Sequence, residues 1–130
     1  MIPTTSPGGS TFPYYYKNGE LHCFKYGSFY ENEKALLSLM QEEETFLSKP
    51  HIRIGVWVDF YETALTDTIL TAFLQHIQRL ESNIIKLALV GCSNRDKRRI
   101  GRMRRKIELS LPVEFFSDPE VAKTWLVGER

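Results

Sequence analysis

Residues 52–70 read IRIGVWVDFYETALTDTIL. The first half, 52–60, is rich in β-branched residues, and its apolar end is nearly continuous. Such a run predicts a strand buried on both faces, as in a parallel sheet. The second half opens on Thr66 and Asp67, either of which supplies an N-cap oxygen. Beyond it, Ile69, Phe73, Ile77 and Leu80 form one stripe, widened by Leu70 and Leu74, so a helix is predicted over 67–81. Another apolar strand, IIKLALVG at 84–91, follows directly. Strand, helix and strand make a βαβ unit.

The alternation extends in both directions. Upstream, Leu36, Leu39, Met40, Phe46 and Leu47 predict a helix over 31–48, capped by Ser28 or Asn32 and stopped by Pro50. Glu42-Glu43-Glu44 are expected mostly on its wet side. Before it, FPYYYK (12–17), Asn18-Gly19 and ELHCFKY (20–26) predict a β-hairpin, because Asn-Gly tolerates the positive φ of a type I′ turn. Downstream, Ile100, Met103 and Ile107 share one face of a helix over 95–109. A short strand, PVEFF, covers 112–116. Ser117 or Asp118 then caps a last helix with Pro119 just inside it, docked by Val121, Trp125 and Leu126. The order is β-β-α-β-α-β-α-β-α. Right-handed crossovers then predict an α/β fold: a mostly parallel sheet of four or five strands, an N-terminal hairpin and four helices. Residues 1–11, MIPTTSPGGST, are almost free of apolar groups and predict a flexible tail before one domain over 12–130.

Composition narrows the function classes. The 130 residues are 42% hydrophobic and 25% charged, which suits one globular domain and excludes a disordered chain. No apolar stretch is long enough for a transmembrane helix, and no secretory leader is expected at the N-terminus. Cys23 and Cys92 lack C-x-x-C spacing and lie in or beside apolar strands, so reduced thiols and a cytoplasmic location are expected. His22, His51 and His76 show no zinc-ligand spacing, and neither a metal nor another cofactor is expected.

Three segments together carry a family resemblance: IRIGVWVDFYETALTDTIL, then IIKLALVG with the basic helix after it, and VEFFSDPEVAKTWL at 113–126. Over roughly residues 12–127 the chain resembles the SpoIIAA-like family of the STAS superfamily, the sulfate transporters and anti-sigma-factor antagonists. The resemblance implies helices packed mainly on one side of the sheet, no catalytic activity, and a regulatory role through binding. It also implies a phosphorylatable hydroxyl at the start of the second helix, in an Asp-Ser-Ser-Gly-like motif. Here that stretch is Thr66-Asp67-Thr68-Ile69. Thr68 follows an Asp as that Ser does, but Ile69 and Leu70 replace the second hydroxyl and the glycine.

The residues add their own candidates. A phosphate on Thr68 would meet the free N–H groups and positive dipole of a helix start, although Thr66 and Asp67 there also serve as plain caps. Residues 95–106, RDKRRIGRMRRK, hold eight basic residues and one acidic, a net of +7; the remaining residues hold nine and fifteen, a net of −6. Arg98, Arg102 and Arg105 fall on exposed sides of that helix. Like charge at this density calls for an anion, which the chain's own Glu residues or a partner would supply. Nucleic acid is the less favoured anion, because no aromatic residue interleaves the run. Asp59, Tyr61 and Glu62 follow the central strand at its C-terminal end, where α/β folds build their sites. Cys92 and Arg98 stand in C-x5-R spacing between strand and helix, as in Cys-dependent phosphatases, but the intervening loop has no Gly to cradle a phosphate. The N-terminal aromatics, from Tyr14 to Tyr30, suit core packing and a sheet edge open to a homodimer.

The reading favoured at this level is a non-catalytic binding domain. Its surface joins Asp59, Tyr61, Glu62, Thr66 and Asp67 to Arg98, Arg102 and Arg105, with Thr68 as the switch. Its partner is a regulatory protein or a small anionic or lipid-like ligand. The alternatives are a phosphatase or sulfurtransferase using Cys92 and Arg98, and a nucleic-acid or anionic-membrane binder using the helix 95–106.

Overall fold

A computed structural model describes residues 4–49 and 51–128. Its elements in chain order are β1 (Thr4–Thr5), β2 (Thr11–Phe12), β3 (Tyr14–Tyr16), β4 (Gly19–Lys25), α1 (Glu33–Leu47), β5 (Ile54–Asp59), α2 (Asp67–Arg79), β6 (Ile84–Val90), α3 (Asn94–Lys106), β7 (Val113–Phe116) and α4 (Pro119–Val127). Strands β3-β4-β5-β6-β7 lie side by side in sequence order, β3 antiparallel to β4 and the rest parallel. This is the expected α/β order with its four helices and opening hairpin.

The monotonic strand order dictates the layering. Each parallel step is bridged by one helix, and right-handed crossovers in one direction place every bridging helix on the same face. On that face Phe24 of β4 and Tyr26 just beyond it, Val56 and Val58 of β5, and Leu87 and Leu89 of β6 join Leu36, Phe73 and Ile100 from α1, α2 and α3 in one core. Helix α4 follows the last strand, bridges nothing, and is free to take the other face. There Ala122 and Leu126 pack on Leu21, Ala88 and Val90 in a smaller core. Burial on both faces explains why the central strands read as nearly unbroken apolar runs.

Two details of the N-terminal region differ from the sequence reading. The hairpin turn is Lys17-Asn18, with Gly19 already paired to Tyr16 and Lys17 at φ +53°. Gly19 serves close approach instead of the turn: a Cβ there would lie 2.7 Å from Cγ1 of Val127 at the end of α4. The second difference concerns the expected tail. Residues 1–3 lie outside the described residues, but 4–12 form a two-stranded sheet, β1 with β2, in which Ser6 and Ser10 are buried. Phe12 joins the main core beside Phe46 and His22, and a carboxylate anchors the rest of the segment. Glu43 of α1 is fully buried and accepts hydrogen bonds from Ser6 Oγ (2.8 Å), Gly8 N (2.8 Å) and His22 Nε2 (2.9 Å). The middle glutamate of 42–44 thus points inward, against the expectation of a wet run. A buried carboxylate must be satisfied by donors, and the N-terminal segment provides two of them.

Helix starts agree with capping chemistry. Asn32, Thr66, Ser93 and Asp118 are the N-caps, each side chain accepting from a backbone N–H two or three residues on. Among the described residues, no helix is long and apolar enough to cross a membrane.

Candidate functional site

The C-terminal ends of β5 and β6 open into two loops that face each other. Gly91 holds them together. It sits at φ +91°, and a Cβ there would lie 2.9 Å from Tyr61 N, so only glycine allows this contact. The β5–α2 loop is also zipped to the β4–α1 loop. Ser28 N donates to Tyr61 O at 2.6 Å, Tyr30 N to Glu62 O at 2.9 Å, and Ala64 N to Tyr30 O at 2.7 Å. The hydroxyl of Thr63 donates to Tyr26 O at 2.7 Å and accepts from Phe29 N at 3.1 Å. Ser28, Tyr30 and Glu62 all adopt positive φ here, and three non-glycine residues in that region mark a loop cluster shaped by its surroundings.

Between the β5–α2 and β6–α3 loops lies a cleft of about 410 Å³, lined by Thr63, Leu65, Thr66, Ser93, Arg95 and Arg99 among others. The N-termini of α2 and α3 both reach it. Arg99 ties the two together: it donates to Leu65 O (2.6 Å), Asp96 Oδ1 (2.9 Å) and Asp67 Oδ1 (2.6 Å). These carboxylates, the Asp67 hydrogen bond foremost, hold its guanidinium above its ordinary value. Thr66 caps α2 and hydrogen-bonds Glu33 of α1, linking a third helix to the rim.

The sequence-derived candidates separate into three groups. Thr66, Asp67 and the exposed Thr68 stand at the start of α2, beside the cleft. Asp59, the last residue of β5, and Tyr61 and Glu62 on the loop after it are engaged locally. Asp59 Oδ1 accepts from Tyr61 N at 2.9 Å, and Glu62 Oε1 accepts from Tyr30 Oη at 3.3 Å. The Glu62 charge raises the Tyr30 phenol. Tyr30 and Tyr61 leave 60% and 62% of their surface in solvent, an aromatic pair beside the cleft. Arg98, Arg102 and Arg105 are exposed along α3 with Arg95 and Lys106. The spacing 95, 98, 102, 105 is one face of a helix, so these four guanidiniums form a stripe about 15 Å long. Among the described residues, none of these five cations has a carboxylate within ion-pair distance. Among the described residues, the chain's own glutamates therefore leave the run open, and Arg99 is the α3 cation that is ion-paired.

Cys92 does not have the setting of a nucleophile. It packs against the main core, and burial, with Asp96 adding to it, pushes its thiol up to about 12. At neutral pH the group is a thiol, whereas attack on phosphorus requires a thiolate.

Sequence reasoning missed Arg99 as the organising residue, though Asp96 three positions before it was a legible i,i+3 pair. It also missed a buried chain of polar groups under α1 and α2. Tyr26 Oη and His76 Nε2 are 2.9 Å apart, His76 Nδ1 is 3.0 Å from Glu44 Oε1, and Arg79 grips Glu44 at 2.8 and 3.0 Å. Burial holds His76 below its ordinary value and Tyr26 well above its own. With the phenol sealed in the core, the chain acts as a staple between the segment just after β4, α1 and α2. No group of three or more His, Cys, Asp or Glu side chains among the described residues is arranged to hold a metal ion.

No protein-family model, curated protein or solved structure matches this chain.

Proposed function

We propose that this is a non-catalytic, STAS-like regulatory domain that binds an anionic partner at the C-terminal end of its sheet. The partner is an acidic protein surface or a small anionic or lipid-like ligand. The observation that carries this reading is the run of five cations on α3, exposed and unpaired among the described residues, beside a cleft at two helix N-termini. Like charges so close repel one another, and an anion relieves that repulsion. The Ser93 hydroxyl and the two helix starts offer further donors to the same anion. Thr68 is the proposed switch. A phosphate on it would add negative charge at the cleft rim, compete with Asp67 for Arg99, and repel an acidic partner.

The test compares the wild-type chain with the triple variant Arg98→Glu, Arg102→Glu, Arg105→Glu and with Thr68→Glu. Native mass spectrometry reads a bound small anion, and affinity capture reads a protein partner. Bound mass or captured protein should be lost in the triple variant and reduced in Thr68→Glu. Binding indifferent to both changes would sink the proposal. Retention on heparin or anionic vesicles that falls steeply with salt, with nothing else bound, would replace it with a nucleic-acid or membrane-surface role for α3.

A further inference from the structure

A second cavity lies on the opposite face of the sheet, away from the α3 cleft. Helix α4 has only nine residues and covers Leu21, Ala88 and Val90, so the part of that face over Cys23 and Trp57 is left without a helix. These two residues are register partners on β4 and β5 and form the floor. The folded-back segment at Ser10 closes one side, Tyr14 of β3 another, and Lys25 and Lys123 complete the lining. This open pocket has a volume of about 220 Å³. That is below the usual range for drug-sized ligands and suits a single ring with a small substituent.

The charges around it set the sign of the ligand. The Lys123 ammonium lies 5.2 Å from the Tyr14 ring centre and 5.6 Å from those of Tyr16 and Trp57, with Glu120 Oε2 at 3.0 Å. An aromatic cage of this kind is a cation site, and the chain's own lysine already fills it. The Lys25 ammonium donates to Gly9 O at 3.2 Å and has no carboxylate within ion-pair distance among the described residues. Among the described residues, two ammonium groups line the cavity and no carboxylate does. The indole of Trp57 and the Cys23 thiol offer a planar ring an apolar surface. Burial, with Asp59 adding to it, pushes that thiol up to about 12, so it presents a neutral group.

We infer that this cavity is a binding site for a small planar anion, an aromatic carboxylate in chemical class, whose ring lies on Trp57 and whose carboxylate meets Lys25 and Lys123. Stacking on an aromatic ring and charge-assisted hydrogen bonds to two ammonium groups are its two sources of affinity. For so few atoms, a Kd on the order of 1 mM is expected. The site is independent of the α3 surface, and the two stand or fall separately.

Benzoate is the probe. In a Trp125→Phe background the fluorescence reports Trp57 alone, and titration with benzoate should quench or shift it to saturation. Lys25→Gln, a change at an exposed residue, should weaken binding about fivefold or more. Lys123→Ala should do the same, and benzylamine should give no saturable signal. The triple α3 variant should bind benzoate like the parent. Three results would each overturn the site: no saturable response in the folded protein, affinity unchanged by Lys25→Gln, or benzylamine binding as well as benzoate. Loss of benzoate binding in the α3 variant would place the ligand on the other face and also reject the cavity.

Discussion

Two runs of like charge in this chain meet opposite fates. Glu42-Glu43-Glu44 on α1 is drawn partly inside: Glu43 is fully buried against His22, Ser6 and Gly8, and Glu44 is gripped by His76 and Arg79. The basic run on α3 stays outside, with Arg95, Arg98, Arg102, Arg105 and Lys106 exposed and unpaired among the described residues. A charge inside a fold is tolerated only where partners satisfy it, so the acidic run is bound to structure. A cation left in water costs the fold little and remains available to something else. The first run holds the molecule together, and the second gives it a surface to work with.

The contrast breaks most sharply at Glu43. Replacing it by Ala leaves His22 and Ser6 without their buried acceptor and releases the N-terminal segment. A loss of about 3–5 kcal/mol in unfolding free energy is expected from a urea titration. If Glu43→Ala is as stable as the parent, the buried cluster does not hold that segment. A smaller effect is expected from Tyr26→Phe, which deletes only the phenol that meets His76 Nε2 and should cost about 1 kcal/mol in the same titration.

The pH dependence sharpens the same comparison. Burial holds His76 below its ordinary 6.5, so the folded protein stays neutral there while the unfolded chain takes up a proton. The stability this contributes is complete above 6.5 and declines as pH falls towards the depressed folded value. A further decline is expected below the ordinary 4.5 of Glu44, whose carboxyl is held down chiefly by Arg79. Thermal denaturation across this range should show both declines, and His76→Gln should remove the first. The least effect on the fold is expected at α3: charge reversal at Arg98, Arg102 and Arg105 should change stability by no more than about 0.5 kcal/mol. A large loss there would mean the stripe is structural, against its proposed role.

Much of this was legible before the structure. The helix and strand alternation, the parallel strands and the candidate caps of three helices follow from periodicity and capping residues, because those signals are local; the Ser93 cap of α3 was not named. The exposed stripe on α3 was legible for the same reason: Ile100, Met103 and Ile107 fix which side of the helix is buried, and the arginines take what is left. What stayed hidden depends on residues far apart in the chain. Ser6 and Glu43 are 37 positions apart, Tyr26 and His76 50, and Asp67 and Arg99 32. Composition judged residues 4–11 by their lack of apolar groups, but they are held by hydrogen bonds to a carboxylate on another element. Gly19 was read as a turn residue, whereas its lack of a Cβ serves the approach of α4.

By itself, then, the sequence determined the α/β alternation and the basic helix, since each rests on spacing along one segment. Only the tertiary structure decided that Glu43 is buried, that α4 covers the other face and leaves Trp57 open, and that Arg99 joins two loops. These depend on which donors, acceptors and rings meet across elements. Periodicity along one segment carries no information about such a meeting.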